Sequence, residues 1–290
     1  MASLKELRNR IGSVRSTRQI TSAMKMVAAA KLKGAQDRVT GFRPYSENMS
    51  RIISSLINPE DEKLASPFMN PNEGKNILIM LFTSNRGLCG GFNNNIVKSA
   101  IEYAETNFAA EIKNQQLSFY CIGKKGADLI RRRGFKIEEL NQEILDNANF
   151  ANANEISEAI MKAFTNNEYS KVILAYNMFR NAVTQVQTIE QFLPVLPPVA
   201  EENSKDYIYE PNTDKLVIDI IPKTIKIQFH KALLDSVASE HGARMTAMHQ
   251  ATDNATEIIR ELTLQYNKAR QAAITNEILE ITSGAEALKA

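Results

Sequence analysis

The chain has 290 residues, 43% of them hydrophobic, and a formal net charge of only +2. This length suffices for one large or two modest domains, and the nearly balanced charge gives no global field that favours nucleic acid as a partner. No stretch reaches the roughly 18 apolar residues that a membrane-spanning helix needs, and the basic N-terminus lacks the apolar core of a signal peptide. The two cysteines, Cys89 and Cys121, have no histidine near them in sequence, so we interpret them as small buried side chains of a reducing compartment rather than zinc ligands.

The first segment, residues 1–58, is predicted to be one long helix from Leu4 to about Ile57. Small and apolar residues recur there in alternating steps of four and three, which is the pattern of a coiled-coil seam, although Arg18 and Lys25 interrupt it. The seam positions are Leu4, Leu7, Ile11, Val14, Thr21, Ala28, Leu32, Ala35 and Val39. We expect a kink at Gly41 or Pro44, and Asn58-Pro59 is a stop signal.

The last segment, residues 213–290, repeats this pattern for more than five heptads. Its seam consists of Leu234, Ala238, His241, Met245, Met248, Thr252, Ala255, Ile259, Leu262, Tyr266, Ala269 and Ala273. The helix is predicted to start near Thr213, with Pro222 as a kink or a late start, and to end near Ser283 with Gly284 as its C-cap. From Lys223 to Ser283 such a helix is about 90 Å long, so we expect it to project from any compact domain.

The middle of the chain, residues 75–210, has a different periodicity. Continuous apolar runs at 77–82, 117–122 and 172–176 are typical of buried parallel strands, and helical patterns at 94–106, 124–132 and 155–164 separate them. The alternating residues 183–188 suit an edge strand, residues 193–205 a loop and residues 207–210 a short strand. Strands that alternate with helices predict an open α/β domain, of the Rossmann-like kind.

The predicted architecture is therefore helix, α/β domain, helix. Neither terminal helix can bury its seam alone, so we expect the two to form a long antiparallel coiled coil that stands on the α/β domain.

The candidate chemistry of the middle segment is weak. The loop Ser84–Asn93 follows a predicted strand and precedes a helix, which is where doubly wound folds bind phosphate. Its glycines fit neither the dinucleotide fingerprint nor the P-loop, and Gly123-Lys124-Lys125-Gly126 fits no better. We interpret these glycines as tight-turn and packing residues. The three histidines, His230, His241 and His249, all lie on the last helix, with His241 as a packed seam residue. We therefore expect no catalytic residue, cofactor or metal.

The first helix is strongly basic. Its cations are Lys5, Arg8, Arg10, Arg15, Arg18, Lys25, Lys31 and Lys33, with Glu6 the only acid in the first 36 residues. A solvated charged face is the default interpretation, and nucleic acid is an alternative partner. Met24, Met26 and Val27 sit among these charges without aromatic residues, so an acidic protein partner fits at least as well.

Two segments at opposite ends of the chain resemble a known family. Ile20–Leu32, with the sequence ITSAMKMVAAAKL, resembles the N-terminal signature of the gamma subunits of F-type ATP synthases, and Ile274–Ala285 resembles their C-terminal signature. The segments Asn85–Gly91 and Ala251–Ala255 are also similar to the family. The resemblance spans the whole chain.

The resemblance implies a non-catalytic rotor. Its paired helices would form an asymmetric shaft inside a ring of three alpha and three beta subunits. Its α/β domain would be the foot, which sits with the epsilon subunit on the c ring. Ion-driven rotation of the c ring would then cycle the catalytic sites for ATP synthesis or hydrolysis.

The resemblance also implies contact residues. Met24 and Lys25, with Arg270, Gln271 and Thr275 opposite, would face the beta subunits, and Tyr207, Tyr209 and Glu210 would lie near the c ring and epsilon. The chain lacks the regulatory cysteine pair of chloroplast members and a clear transit peptide. The expected location is therefore the cytoplasmic face of a bacterial inner membrane, as a peripheral protein. An α/β enzyme with helical arms and a basic coiled-coil nucleic-acid binder are the rival interpretations.

Overall fold

The terminal helices have the extent that the seams predict. The computed structural model describes residues 3–56, 66–196 and 213–287. Helix α1 spans Leu4–Leu56 with Pro44 inside it, and helix α6 spans Thr213–Ala287 with Pro222 inside it. The predicted C-cap at Gly284 is wrong, because the helix continues past it to Ala287 and Gly284 does not have a positive φ. The predicted short strand at 207–210 lies outside the described residues.

Five strands form one mixed sheet in the order β3-β2-β1-β4-β5. Strands β1 (Asn76–Phe82), β2 (Leu117–Ile122) and β4 (Tyr169–Phe179) confirm the three buried runs. These strands and β3 (Lys136–Asn141) are parallel, and β5 (Gln185–Leu193) is the antiparallel edge strand beside β4. The sequence pattern missed β3, because its KIEELN side chains are exposed or half-buried and include no apolar run. It placed β5 too early and too short, since Gln185–Leu193 includes the start of the predicted loop.

Helices connect the parallel strands. Their bounds are Phe92–Asn107 for α2, Ala109–Lys113 for α3, Lys124–Arg132 for α4 and Phe150–Thr165 for α5. The alternating residues Ile77, Ile79 and Leu81 of β1 lie in one core with the buried faces of α2 and α4. On the other face of the sheet, the ring of Phe82 lies 5.5 Å from that of Phe229 in α6. Each such buried side chain contributes about 1.5–3 kcal/mol of hydrophobic stabilisation.

By its internal contacts the chain divides into two units, and the division into three segments stays a prediction. One unit contains Met1–Val27 and Met245–Ala290, and the other contains Ala28–Arg244. In the first unit the Thr21 and Thr252 hydroxyl oxygens are 2.8 Å apart, and Lys25 Nζ is 3.5 Å from His249 Nδ1. Residue numbers rise along α1 as they fall along α6, which confirms antiparallel pairing within this unit.

Candidate partner interface

The paired part of α1 and α6 in the first unit buries a narrow seam. Leu7 and Thr21 of α1 and Met248, Ala255 and Leu262 of α6 are buried. All are predicted seam positions. Their small or flexible side chains allow the two backbones to approach closely, and the remaining surface of both helices is left for solvent or partners.

Lys25 lies beside this seam. Its Nζ is near His249 Nδ1, which is itself 3.4 Å from Asp253 of α6. Lys25 and Met24 are both half-buried. Two residues further, Met26 and Val27 are 64% and 59% exposed, and Ile20 is 60% exposed. The first helix therefore presents an apolar surface among its cations. Met26 and Val27 were expected there from the sequence, and Ile20 is a further member.

The tip of α6 is exposed throughout residues 270–285. Arg270, Gln271 and Thr275 lie on it, and the Thr275 hydroxyl donates to the Gln271 carbonyl 2.9 Å away. The exposed apolar side chains of the same stretch are Ile274, Ile278, Leu279 and Ile281. Ile274, Ile278 and Ile281 are spaced by four and three residues and so lie on one face of the helix, and an exposed apolar face is typical of a binding site for another protein.

The structure places the predicted contact residues in two groups rather than one. Lys25 pairs with His249, and Arg270 follows His249 by 21 positions along the same helix. At 1.5 Å per residue, that is a separation of about 30 Å. The residues predicted to contact the c ring and epsilon, Tyr207, Tyr209 and Glu210, lie outside the described residues.

The basic residues near the start of α1 are exposed. Within the part of the chain that the structure describes, Lys5, Arg8, Arg10, Arg15 and Arg18 form no ion pair. Exposed charges on a rigid helix steer and orient a partner of opposite sign more than they stabilise the fold.

The loop after β1 binds a side chain of α6. The guanidinium of Arg244 in α6 donates to the carbonyl oxygens of Arg86 and Gly87, at 3.0 and 3.4 Å, and forms an ion pair with Glu240. Two residues of this loop have positive φ, Leu88 at 61° and Gly90 at 60°. The Arg244 contacts hold carbonyl oxygens where a phosphate-binding loop would present N–H groups.

The second glycine turn is a packing device. Gly123 has φ of +101°, and a Cβ atom there would lie 2.4 Å from the carbonyl oxygen of Thr83. The N–H of Gly126 donates to the Thr83 hydroxyl at 2.9 Å. Both glycines therefore let β1 and the start of α4 approach closely, which supports the packing interpretation of these residues.

His230 and His241 of α6 are packed residues. Burial, followed by the field of Arg38, lowers the pKa of His230 to about 4. Burial, followed by the field of Arg244, lowers the pKa of His241 to about 4. His241 is half-buried on the seam, as its heptad position predicts. No group of three or more His, Cys, Asp or Glu side chains in the described ranges is placed to hold a metal ion.

Comparison with known proteins decides what this surface belongs to. A family model described as ATP synthase matches residues 3–288. The chain is 51% identical to the ATP synthase gamma chain of Christiangramia forsetii over 289 residues, which cover 99% of both chains. It is 49% identical to the ATP synthase gamma chain of Flavobacterium johnsoniae over 290 residues, again 99% of both chains. The chain belongs to the ATP synthase gamma-chain family.

Solved structures agree on the fold. The chain matches one in the central stalk and c ring of the Tetrahymena thermophila mitochondrial ATP synthase at 26% identity, with a TM-score of 0.57, over 80% of this chain and 99% of that one. It matches a chain of the Euglena gracilis mitochondrial ATP synthase at 18% identity, with a TM-score of 0.68, over 98% of this chain and 94% of that one. As a family member the chain is the central rotor shaft of an F-type ATP synthase and a non-catalytic subunit of that complex.

Proposed function

We propose that the rotor engages its stator through two surfaces and its ion-driven ring through the α/β domain. The first surface contains Met24 and Lys25 on α1, and the second contains Arg270, Gln271 and Thr275 on α6, both against beta subunits. The observation that carries the proposal is the tip of α6, whose exposed isoleucines and leucine need a partner to cover them.

The composition of the tip suits a shaft that turns. Residues 270–285 combine exposed aliphatic side chains with few charges, namely Arg270, Glu277 and Glu280. An aliphatic surface makes nondirectional contacts that are equivalent at many angles. The cations of α1 make longer-ranged contacts, and acidic loops of the three beta subunits would meet them at different rotor angles. The aliphatic tip of α6 would serve as a bearing, and the interaction energy of the α1 cations with the beta subunits would depend on the rotor angle.

The foot contacts are also proposals. Tyr207, Tyr209 and Glu210 would lie near the c ring and the epsilon subunit. No described helix is both long and apolar enough to cross a bilayer. We propose that the chain reaches the membrane only through the c ring, on the cytoplasmic face of a bacterial inner membrane, where ion transport drives the rotor. The partners would then be alpha, beta, epsilon and the c ring, without nucleic acid.

Purification from native membranes tests the partners. A tagged chain should co-purify alpha, beta, epsilon and c subunits in fixed ratios after mild detergent extraction. Recovery of alpha and beta without epsilon would contradict the epsilon contact, and recovery of nucleic acid in place of these subunits would favour the rival interpretation.

Met24→Lys tests the first stator surface. A second cation beside Lys25 should add an attraction to acidic loops that differs among rotor angles, and should therefore reduce the ions pumped per ATP more than it reduces assembly. Thr40→Lys, which adds the same charge at an exposed site further along α1, is the control. If reconstituted Met24→Lys complexes pump as many ions per ATP as wild type, Met24 does not lie at this contact.

A further inference from the structure

The terminal helices occupy an edge of the sheet where related folds bind ligands. In a doubly wound sheet that place is outside the carboxyl ends of the two strands between which the strand order reverses. Here these strands are β1 and β4. From β1 the chain adds β2 and β3 on one side of the sheet, and then β4 and β5 on the other side. Residues of α1 and α6 contact the ends of both strands.

One of these contacts links the last residue of β4 to both terminal helices through a single guanidinium. The Arg43 guanidinium of α1 donates to the carbonyl oxygen of Phe179 at 3.1 Å and lies 3.6 Å from the Asp235 carboxylate of α6. The backbone of Phe179 also helps to lower the pKa of this carboxyl, after Arg43 and Lys231. We call this group of Arg43, Phe179 and Asp235 the clasp. It ties both terminal helices to one interior strand.

The clasp includes a buried carboxylate, and burying a carboxylate has a free-energy cost that an ordinary surface contact does not have. Asp235 is only 2% exposed, and its Oδ1 has no hydrogen-bond partner in the described part of the chain. Burial raises the pKa of this carboxyl, and Arg43 is the largest influence that lowers it. Burying a carboxylate is unfavourable, and the Arg43 side chain that faces it is 45% exposed, so the pair adds little net stability to offset that cost. The effect of the arrangement is geometric: it links both helices to the sheet at one point.

Neighbouring contacts along the same edge leave little freedom for sliding. A Cβ atom on Gly242 of α6 would lie 3.1 Å from the carbonyl oxygen of Ala182, in the turn that follows β4. Arg244 binds the loop after β1. The backbone joins sheet and helices only after Leu56 and before Thr213. Side-chain contacts, rather than the chain itself, must therefore resist a twist between the sheet and the helices.

We propose that the clasp of Arg43, Phe179 and Asp235 is a torque-bearing joint between the sheet and the parts of α1 and α6 that lie in the same unit, residues 28–56 and 213–244. When the α/β domain is turned, the load passes from the end of β4 through the carbonyl, the guanidinium and the carboxylate into α1 and α6. Such a joint lowers the elastic compliance of the rotor. This inference rests on the rotor function.

The experiment measures that compliance in an assembled complex. The catalytic ring is fixed to a surface, and a bead is attached to the α/β domain through Lys113→Cys, an exposed site on α3, since Cys89 and Cys121 are buried. The angular variance of the bead in a stalled complex is inversely proportional to torsional stiffness. We take the clasp and the Arg244 contacts to carry about equal shares of the load within one network. Loss of the clasp then halves the stiffness, so Arg43→Met and Asp235→Asn should each raise the variance about two-fold.

Two controls separate a joint from a stabilising contact. Arg51→Gln removes a cation from an exposed site on the same helix and should leave the variance unchanged. Ile130→Val removes a methylene from the sheet–α4 core, without touching the terminal helices, and should lower the Tm without raising the variance.

The outcomes are distinct. An unchanged variance in Arg43→Met, or an equal rise in the Ile130→Val control at the same loss of Tm, overturns the joint. A wild-type complex whose bead does not rotate with ATP overturns the rotor function together with the inference. A raised variance in both clasp variants alone supports it.

Discussion

His230 is a buried imidazole and His241 a half-buried one, and the charged groups that most affect both are cations of α1 and α6. Arg38 acts on both rings, and Lys31 and Arg244 act on His241. The Nδ1 atoms of both rings have no hydrogen-bond partner in the described part of the chain. Neither ring gains from protonation in the folded state, so both titrate mainly after unfolding.

The first prediction is a loss of stability in mild acid. The folded pKa of His230 is about 4, below its unfolded value of 6.5. This contribution to stability is therefore fully present above about pH 6.5 and lost as the pH falls towards 4. Linkage gives a loss of about 2 kcal/mol for His230 between pH 7.5 and pH 5.

Denaturant unfolding of the purified chain at both pH values measures this loss. His230→Phe removes the titrating group and should reduce the difference between the two pH values, whereas His249→Phe, at an exposed position of α6, should not. An equal pH dependence in wild type and His230→Phe would show that His230 is not the group responsible.

Two glycines make a matched pair for the second prediction. Gly123 has positive φ and lacks room for a Cβ atom, whereas Gly34 in α1 has no atom within 4 Å of that position. Gly123→Ala should cost about 2 kcal/mol or more, from strain and overlap with Thr83. Gly34→Ala should stabilise by about 0.5–1 kcal/mol, because alanine favours a helix interior. The Tm values of the two variants should therefore move in opposite directions, and a fall in both would contradict the packing seen at Gly34.

At the scale of elements, α6 combines a buried seam with an exposed end. Leu262 is 4% exposed and Ile259 is half-buried, but every residue from 270 to 285 is exposed. The seam was predicted to end near Ala273, and burial ends at Ala269, since Ala273 is exposed.

The third prediction compares the end of α6 with its seam. Removal of residues 285–290 should change the stability of the rotor by about 1 kcal/mol or less, because the buried seam ends before this segment, near Ala269. Ile259→Asp together with Leu262→Asp should cost several kcal/mol, because two charges enter the seam. The yield and ATPase activity of assembled alpha–beta–gamma complex compare the two. If both variants lose assembly equally, the end is structural and the bearing proposal fails.

Heptad and apolar-run patterns predicted most elements, because burial imposes those patterns. The seams predicted α1 and α6, and the apolar runs predicted β1, β2 and β4. Strand β3 escaped prediction because only two of its side chains, Ile137 and Leu140, pack against the core, and both are only half-buried, so they leave no apolar run. The C-cap predicted at Gly284 was wrong for a different reason: a glycine can adopt a left-handed backbone conformation but does not have to.

At the scale of the whole molecule, the crevice at the ends of β1 and β4 is occupied by the chain itself. The fourth prediction is that the purified chain neither hydrolyses ATP nor binds it at physiological concentrations. Its glycine loops lack a lysine and hydroxyl in P-loop register, and Arg244 already binds the carbonyl oxygens of one loop. Calorimetry that detects specific micromolar binding would contradict this and weaken the interpretation of the loops.

The contact residues were less predictable than the fold. Periodicity identifies the residues that a chain buries within itself. An exposed residue such as Ile20 packs against no other part of the chain, so no periodic pattern identifies it. The signature segments located the two surfaces by resemblance. They did not reveal that about 30 Å of helix separates Lys25 from Arg270. Nor did any spacing reveal the clasp, because Arg43, Phe179 and Asp235 lie far apart in sequence and meet only in the fold.

The contact between Thr21 and Thr252 also constrains how the protein is made. Its two residues are 231 positions apart. At 5–20 residues per second, a ribosome needs roughly 10 to 50 seconds to complete the second after the first. The seam of α1 therefore leaves the ribosome well before its partner in the first unit is made. During that interval the nascent chain carries an unpaired amphipathic helix, which a chaperone must shield or a neighbouring nascent chain could bind.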